Sequence, residues 1–264
     1  RYKQTIASSL GAIRITMFGY VAWDGNKVTY VSITPIRRDF SSFTCYEQFL
    51  QENLNKLADN IADHGRKQRY RFLATASSGY DSSAIAALAK EAGCKDALCI
   101  DKDRFGEKEN GEQVAAYLGL NPICVERDAW RQLEGVETFF LAADGTAEAV
   151  PLASAGNELS GRVLLTGYHG DKIWAKDTQD LSEDIVRGDS SGLSLTEYRL
   201  WVGFIHCPIT FWGVQQIRDI NHISNIEEMR PWDVPGDYSR PIPRRITESA
   251  GVPREIFGIV KKAS

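Results

Sequence analysis

The chain lacks what a secreted or membrane-bound protein would show. No apolar run approaches the ~18 residues of a membrane span, and its opening Arg-Tyr-Lys-Gln-Thr carries no apolar core of a signal peptide. A cytoplasmic chain with no membrane partner is therefore expected, and a first residue other than methionine suggests a fragment or a processed form. The 5 cysteines (Cys45, Cys94, Cys99, Cys124 and Cys207) are odd in number and never spaced Cys-x-x-Cys, so neither a disulfide framework nor a zinc ribbon is indicated. They read as small reduced residues within apolar segments. An excess of positive charge is missing too: 31 Lys and Arg stand against 35 Asp and Glu, a net charge of -4. Nucleic acid is an improbable partner for such a surface, and a small-molecule substrate is the better expectation. With 264 residues, 43% hydrophobic and 25% charged, the chain can bury a sizeable core as one large domain or one domain with an appendage.

One stretch organises the rest. Phe72, Leu73 and Ala74 are apolar and lead into a turn of small hydroxyl residues, after which residues 82–92 are rich in alanine, leucine and isoleucine and stop at Gly93. The pattern predicts strand, tight loop, helix. Ser77, Ser78 and Gly79 carry little side-chain bulk, so a polyanion can approach their backbone, and the helix that follows directs its unpaired N–H groups at it. Phosphate suits such a turn.

A Walker A loop is excluded, because no lysine follows Gly79 at the required place. The Gly-x-Ser-x-Gly nucleophile elbow is matched only in part by Thr75-Ala-Ser77-Ser-Gly79, whose first glycine is absent. Asp81 also suits a plain helix-capping role. The segment Ala76-Ser-Ser-Gly-Tyr-Asp-Ser-Ser83 resembles the Ser-Gly-Gly-x-Asp-Ser pyrophosphate loop of the N-type ATP pyrophosphatases, in particular the asparagine synthetase and beta-lactam synthetase group. Ser78 stands where that motif has its first glycine.

Around this stretch, alternation over residues 11–36 with an Asp24-Gly-Asn26 tip predicts a hairpin. Leu50, Leu54, Leu57 and Ile61 place one apolar face on a helix over 47–63. Downstream, strands are expected at 96–100 and 122–125 and helices at 107–118 and 128–143. Such alternation predicts an α/β fold with a doubly wound, mostly parallel sheet, preceded by an N-terminal hairpin and followed by a helical C-terminal part. The corresponding domain division is 1–66 and 67–264. Ile100 and Asp101, at the end of the second strand, are candidates to border adenine and ribose. A strand at 163–165 delivers a second turn, Gly167-Tyr-His-Gly170-Asp171-Lys172, which is similar to the Gly-x-Gly-x-Asp-Glu turn of the same synthetase group, with one extra residue between the glycines and Lys172 in place of Glu. His169 reads as a loop histidine, with a base as the other reading. Residues 177–194 read as a polar loop or lid, and 196–206 and 211–220 as helices.

The resemblance implies an adenine nucleotide alpha hydrolase-like fold and an ATP-dependent ligase that adenylates a small carboxylate, releases pyrophosphate, and passes the acyl group to ammonia or an amine. It further implies that Ser77, Ser78, Gly79, Tyr80, Asp81, Ser82, Gly167 and Gly170 bind ATP, that Asp81 and Asp171 hold Mg2+, and that Lys261 or Lys262 reaches the phosphates from the tail. No N-terminal cysteine nucleophile is present, so glutamine hydrolysis is not expected of this chain, and a glutaminase partner would supply ammonia. Two other readings stay open. One is an ATP-binding module without synthetase activity, consistent with Ser78 and Lys172. The other is a serine hydrolase using Ser77 with Asp171 and His206.

Overall fold

The computed structural model describes residues 5–14, 19–32, 36–133, 149–178, 181–182, 195–236 and 238–259. Two compact units emerge, Arg1–Arg38 and Asp39–Ser264. The smaller contains two antiparallel hairpins: β1 (Thr5–Ser8) with β2 (Gly11–Arg14), and β3 (Gly19–Trp23) with β4 (Val28–Ser32). The Asp24-Gly-Asn tip makes the second of these, with Asp24 Oδ1 accepting from the N–H groups of Asn26 and Lys27, both at 2.9 Å.

The larger unit opens with α1 (Phe43–Ala62), which begins four residues ahead of the apolar pattern because Ser42 caps it, accepting from Cys45 N at 3.2 Å. This helix, assigned by sequence to the N-terminal segment, lies within the larger unit. It is followed by five parallel strands: β5 (Arg71–Thr75), β6 (Asp96–Ile100), β7 (Asn121–Val125), β8 (Arg162–Thr166) and β9 (Ile205–Pro208). Their order is β7-β6-β5-β8-β9. The chain starts at the centre of the sheet, builds outward to β7, then crosses back to build outward from β8. The order therefore reverses between β5 and β8.

Strand residues alternate between two apolar layers. Phe72, Ala74, Val163 and Leu165 join one core, into which α1, α2 (Tyr80–Glu91) and α8 (Pro241–Ser249) also bury side chains. Leu73, Leu98 and Leu164 join the other, with Val150, Leu159 and Phe204. Covering on both faces explains why these strands are near-continuous apolar runs. The close of α2 follows from Gly93 at φ 86, which lets Gly93 N reach Lys90 O and Cys94 N reach Ala89 O, each at 2.9 Å.

Elsewhere the sequence expectations needed revision. The helix anticipated at 107–118 is α3, Gly111–Tyr117, because residues 101–110 are held as a loop by the buried Asp103 carboxylate, which accepts from Phe105 N and Glu107 N at 2.9 and 3.0 Å. Of the helix expected at 128–143, only a 3-10 turn, Ala129–Gln132, falls among the described residues. Short helices α4 (Gly156–Leu159) and α5 (Gly170–Ile173) flank β8. The helix expected at 196–206 is α6, Leu195–Val202, and it stops because Gly203 takes φ 83 and turns the chain into β9. Over 211–220 two 3-10 turns precede α7, Ile217–Asn225. Cys94 and Cys99 are buried, Cys45 and Cys207 half-buried, but Cys124 is exposed on β7. No helix among the described residues is long and apolar enough to cross a membrane.

Candidate active site at the reversal of strand order

Ligands of doubly wound sheets bind outside the carboxyl ends of the strands where the order reverses. Here that place lies between the turn after β5 and the turn after β8. The first turn is held open by its own hydroxyls. Ser77 Oγ is hydrogen-bonded to Ser82 Oγ and accepts from Gly79 N at 3.1 Å, while Ser83 Oγ lies 2.8 Å from both Ser77 O and Gly79 O. Gly79 is the N-cap of α2, so Tyr80, Asp81 and Ser82 form the helix's first turn.

The second turn closes directly on the first. A Cβ at Gly167 would lie 2.6 Å from the backbone carbon of Asp81, and one at Gly170 would lie 2.7 Å from Asp81 Oδ1. Both glycines are needed because Asp81 fills the space that a side chain would take. Between them His169 adopts φ 65 and ψ 6, the left-handed region that few non-glycine residues enter. Its ring is buried against Tyr168 and Phe211, with centroids at 4.2 and 4.8 Å. Buried Trp174, donating from Nε1 to Tyr46 Oη at 3.0 Å, ties the end of α5 to α1.

Sequence reasoning missed the residue that joins these turns. Arg240 Nη1 donates to Asp81 Oδ2 at 2.7 Å across 159 positions of sequence, and its side chain is only 9% exposed. Burial pulls the Arg240 pKa down, but Asp81, Tyr238 and Asp171 together outweigh it and hold the guanidinium above its ordinary value. A strap presents this arginine: Asp233 pairs with Lys176 and accepts from Ser239 Oγ at 2.6 Å, and Pro241 starts α8 immediately after Arg240. No local pattern marked it, because the partner that gives it its role lies 159 positions away in sequence.

The tail also returns to the first turn. Gly258 N donates to Ser78 O at 2.8 Å, Phe257 packs edge-on to Tyr80 at 6.0 Å, and buried Arg244 donates from Nε to Tyr80 Oη at 3.1 Å and from Nη2 to Gly258 O at 3.3 Å. Thus Arg244, on α8, is a core tie between the loop and the tail. Lys261 and Lys262 lie outside the described residues.

From the β6 side, buried Glu109 accepts from Ser78 N at 2.6 Å and from Asn110 N at 3.0 Å. Ile100 and Asp101 stand at the end of β6, as expected, both half-buried. Asp101 Oδ1 accepts from Arg127 N at 2.7 Å, so its carboxylate ties the ends of β6 and β7. On the far side, His206 Nε2 pairs with Thr166 Oγ1 at 2.8 Å. Burial, then the nearby Arg199 charge, pushes the His206 pKa down to about 4. Since Ser77 pairs with Ser82 and His206 with Thr166, the hydrogen bond that a serine hydrolase requires between them is not made.

A divalent metal on Asp81 and Asp171 is a separate question of fit. Asp81 offers one oxygen to Arg240 and packs the other against Gly170, and no cluster of three or more His, Cys, Asp and Glu among the described residues could hold a metal ion. Asp81 pairs with the Arg240 guanidinium, Asp171 lies in the first turn of α5 and acts on Arg240 only as a nearby charge, and Asp81 in this arrangement does not fit a metal ligand. No protein-family model matches the chain, and comparison with curated proteins gave no match.

Proposed function

We propose that the chain is an ATP-dependent, AMP-forming ligase domain of the adenine nucleotide alpha hydrolase type, similar to asparagine synthetases and working in the cytoplasm. The observation that carries this is the seating of Asp81 against Gly167 and Gly170, which unites two separate motifs at the reversal of strand order. In this proposal ATP lays its β- and γ-phosphates on the turn of Ser77, Ser78, Gly79, Tyr80, Asp81 and Ser82, facing the first-turn N–H groups and positive end of α2. Ile100 and Asp101 border the nucleoside. A carboxylate oxygen of the substrate attacks the α-phosphorus, the bond to the bridging oxygen breaks, and pyrophosphate leaves with that electron pair. Ammonia or an amine then displaces AMP to give the amide, with ammonia supplied by a glutaminase partner. Negative charge developing on the leaving pyrophosphate needs a cation, because the turn has no lysine of its own. Arg240 stands beside it, and the path of the tail over Ser78 favours Lys261 or Lys262 as a second. Magnesium belongs to this proposal as the ion that ATP carries, and no step is assigned to it.

The test is product analysis: protein, ATP and a panel of small carboxylates, with ammonia or hydroxylamine as acceptor. AMP and pyrophosphate are expected. ADP and orthophosphate would overturn the proposal. A second function, an ATP-binding module without transfer, is favoured by Glu109, which already holds the Ser78 N–H; it predicts nucleotide binding with neither product.

A further inference from the structure

Two acids at a phosphate site repel each other and the phosphate unless a cation lies among them. In this protein that cation is part of the chain. Arg240 is 7% exposed, donates at 2.7 Å to Asp81, and feels Asp171 as a further partner charge. Its place is fixed from both sides, by the Lys176–Asp233–Ser239 strap before it and by α8 after it. A guanidinium has five N–H donors in a planar fork, of which one goes to Asp81. The fork therefore has capacity left for phosphate oxygens, which it binds in bidentate fashion. Asp81 is meanwhile held by Arg240 and the two glycines, and is committed before any ligand arrives.

We infer that Arg240 takes the place of a divalent metal at Asp81, so that the site captures inorganic pyrophosphate and the pyrophosphate end of ATP without magnesium. This rests on the proposed pyrophosphate site and adds the identity of its cation. Metal dependence, if the overall reaction has any, then arises elsewhere than at Asp81.

The experiment is calorimetric titration of the whole chain with inorganic pyrophosphate, in EDTA and in magnesium chloride. Wild type should bind in EDTA with an affinity within about threefold of that in magnesium. Arg240→Gln should weaken binding in EDTA by about ten- to a hundredfold, the effect of losing a charge-assisted bond to phosphate, and Arg240→Lys should restore part of it. With Asp81 released, Arg240→Gln should also recover affinity when magnesium is added, which a merely structural role for Arg240 would not produce. If Arg240→Gln does not fold, the wild-type comparison with and without EDTA decides alone. Binding that requires magnesium in wild type would overturn the inference and leave the pyrophosphate site standing. Binding in neither buffer would overturn both.

Discussion

The two turns that meet at Asp81 are built by opposite means. The turn after β5 is a network of hydroxyls, in which Ser77, Ser82 and Ser83 satisfy one another and the backbone. The turn after β8 is tied through its backbone, with Gly170 N donating to Gly167 O at 2.9 Å and Thr210 Oγ1 donating to Tyr168 O. Its contact with the first turn works by absence, because Gly167 and Gly170 leave room for Asp81, and His169 takes a left-handed backbone between them. A hydroxyl network tolerates loss of one member at the cost of a hydrogen bond. A close approach of backbone to backbone tolerates almost nothing.

The sharpest break in that comparison is Gly167→Ala. The new methyl would meet the Asp81 backbone at 2.6 and 2.9 Å, and that backbone is the first turn of α2, which cannot shift without moving the hydroxyl turn before it. Overpacking of this kind costs about 3 kcal/mol, read as a fall in urea midpoint. Gly170→Ala should cost less, because its methyl would meet the Asp81 side chain. Equal stability of Gly167→Ala and wild type would mean that the turns are not in contact.

Acid separates the turns next. The second is preceded by Thr166, whose hydroxyl holds His206, and burial keeps His206 neutral with a pKa near 4 instead of 6.5. Above about pH 6.5 the ring is neutral in both folded and unfolded chains and contributes no pH dependence. As pH falls from 6.5 to 4 the unfolded chain gains a proton that the folded one refuses, so stability declines, by roughly 2–3 kcal/mol over the window, and levels below it. His206→Gln should flatten that slope in a pH series of denaturant midpoints. The Asp96 carboxylate, whose pKa burial raises but the Arg162 pairing at 2.6 Å lowers further, acts in a different window: its contribution is present above about pH 3.8 and is lost as pH falls through its depressed folded value.

On the first turn, Ser83→Ala removes a hydroxyl that is fully buried and reaches Ser77 O and Gly79 O at 2.8 Å. One hydroxyl donates one proton, so about 1–2 kcal/mol is expected, with the Ser77 carbonyl left short of a partner. A cost as large as that of Gly167→Ala would erase the contrast between the two turns.

These differences decided what could be read in advance. The hydroxyl turn was legible because its neighbours in sequence are its partners in space, from Ser77 to Ser83. The strands β5, β6, β7 and β8 were legible for a similar reason: each is a short apolar run between turn residues. The strand β9 was not, because Ile205–Pro208 follows an aromatic-rich segment that suits a helix, and only the left-handed Gly203 separates the two. Arg240 was invisible because its role depends on a partner 159 residues away, and no local pattern marks a guanidinium that will be buried. Arg244 was hidden for the related reason that charge in sequence suggests solvent, whereas Tyr80, Glu248 and Gly258 surround it.

The smallest effect expected concerns His169, and it tests whether the second turn stores strain. A non-glycine residue at φ 65 carries a backbone cost of about 1–2 kcal/mol. Against that, the ring contacts with Tyr168 at 4.2 Å and Phe211 at 4.8 Å contribute roughly 0.5–1.5 kcal/mol. His169→Gly relieves the strain, loses the contacts, and increases the freedom of the unfolded chain by about 0.4–1 kcal/mol. These terms nearly cancel, so His169→Gly should stay within about 1 kcal/mol of wild type. His169→Ala keeps the strain and loses the contacts, and should be the less stable of the two variants. Asparagine, which tolerates this backbone region, should fall between them. Denaturant midpoints for the three variants give the order directly. If alanine proves as stable as glycine, the left-handed backbone at 169 carries no cost, and the second turn is held by its glycines alone.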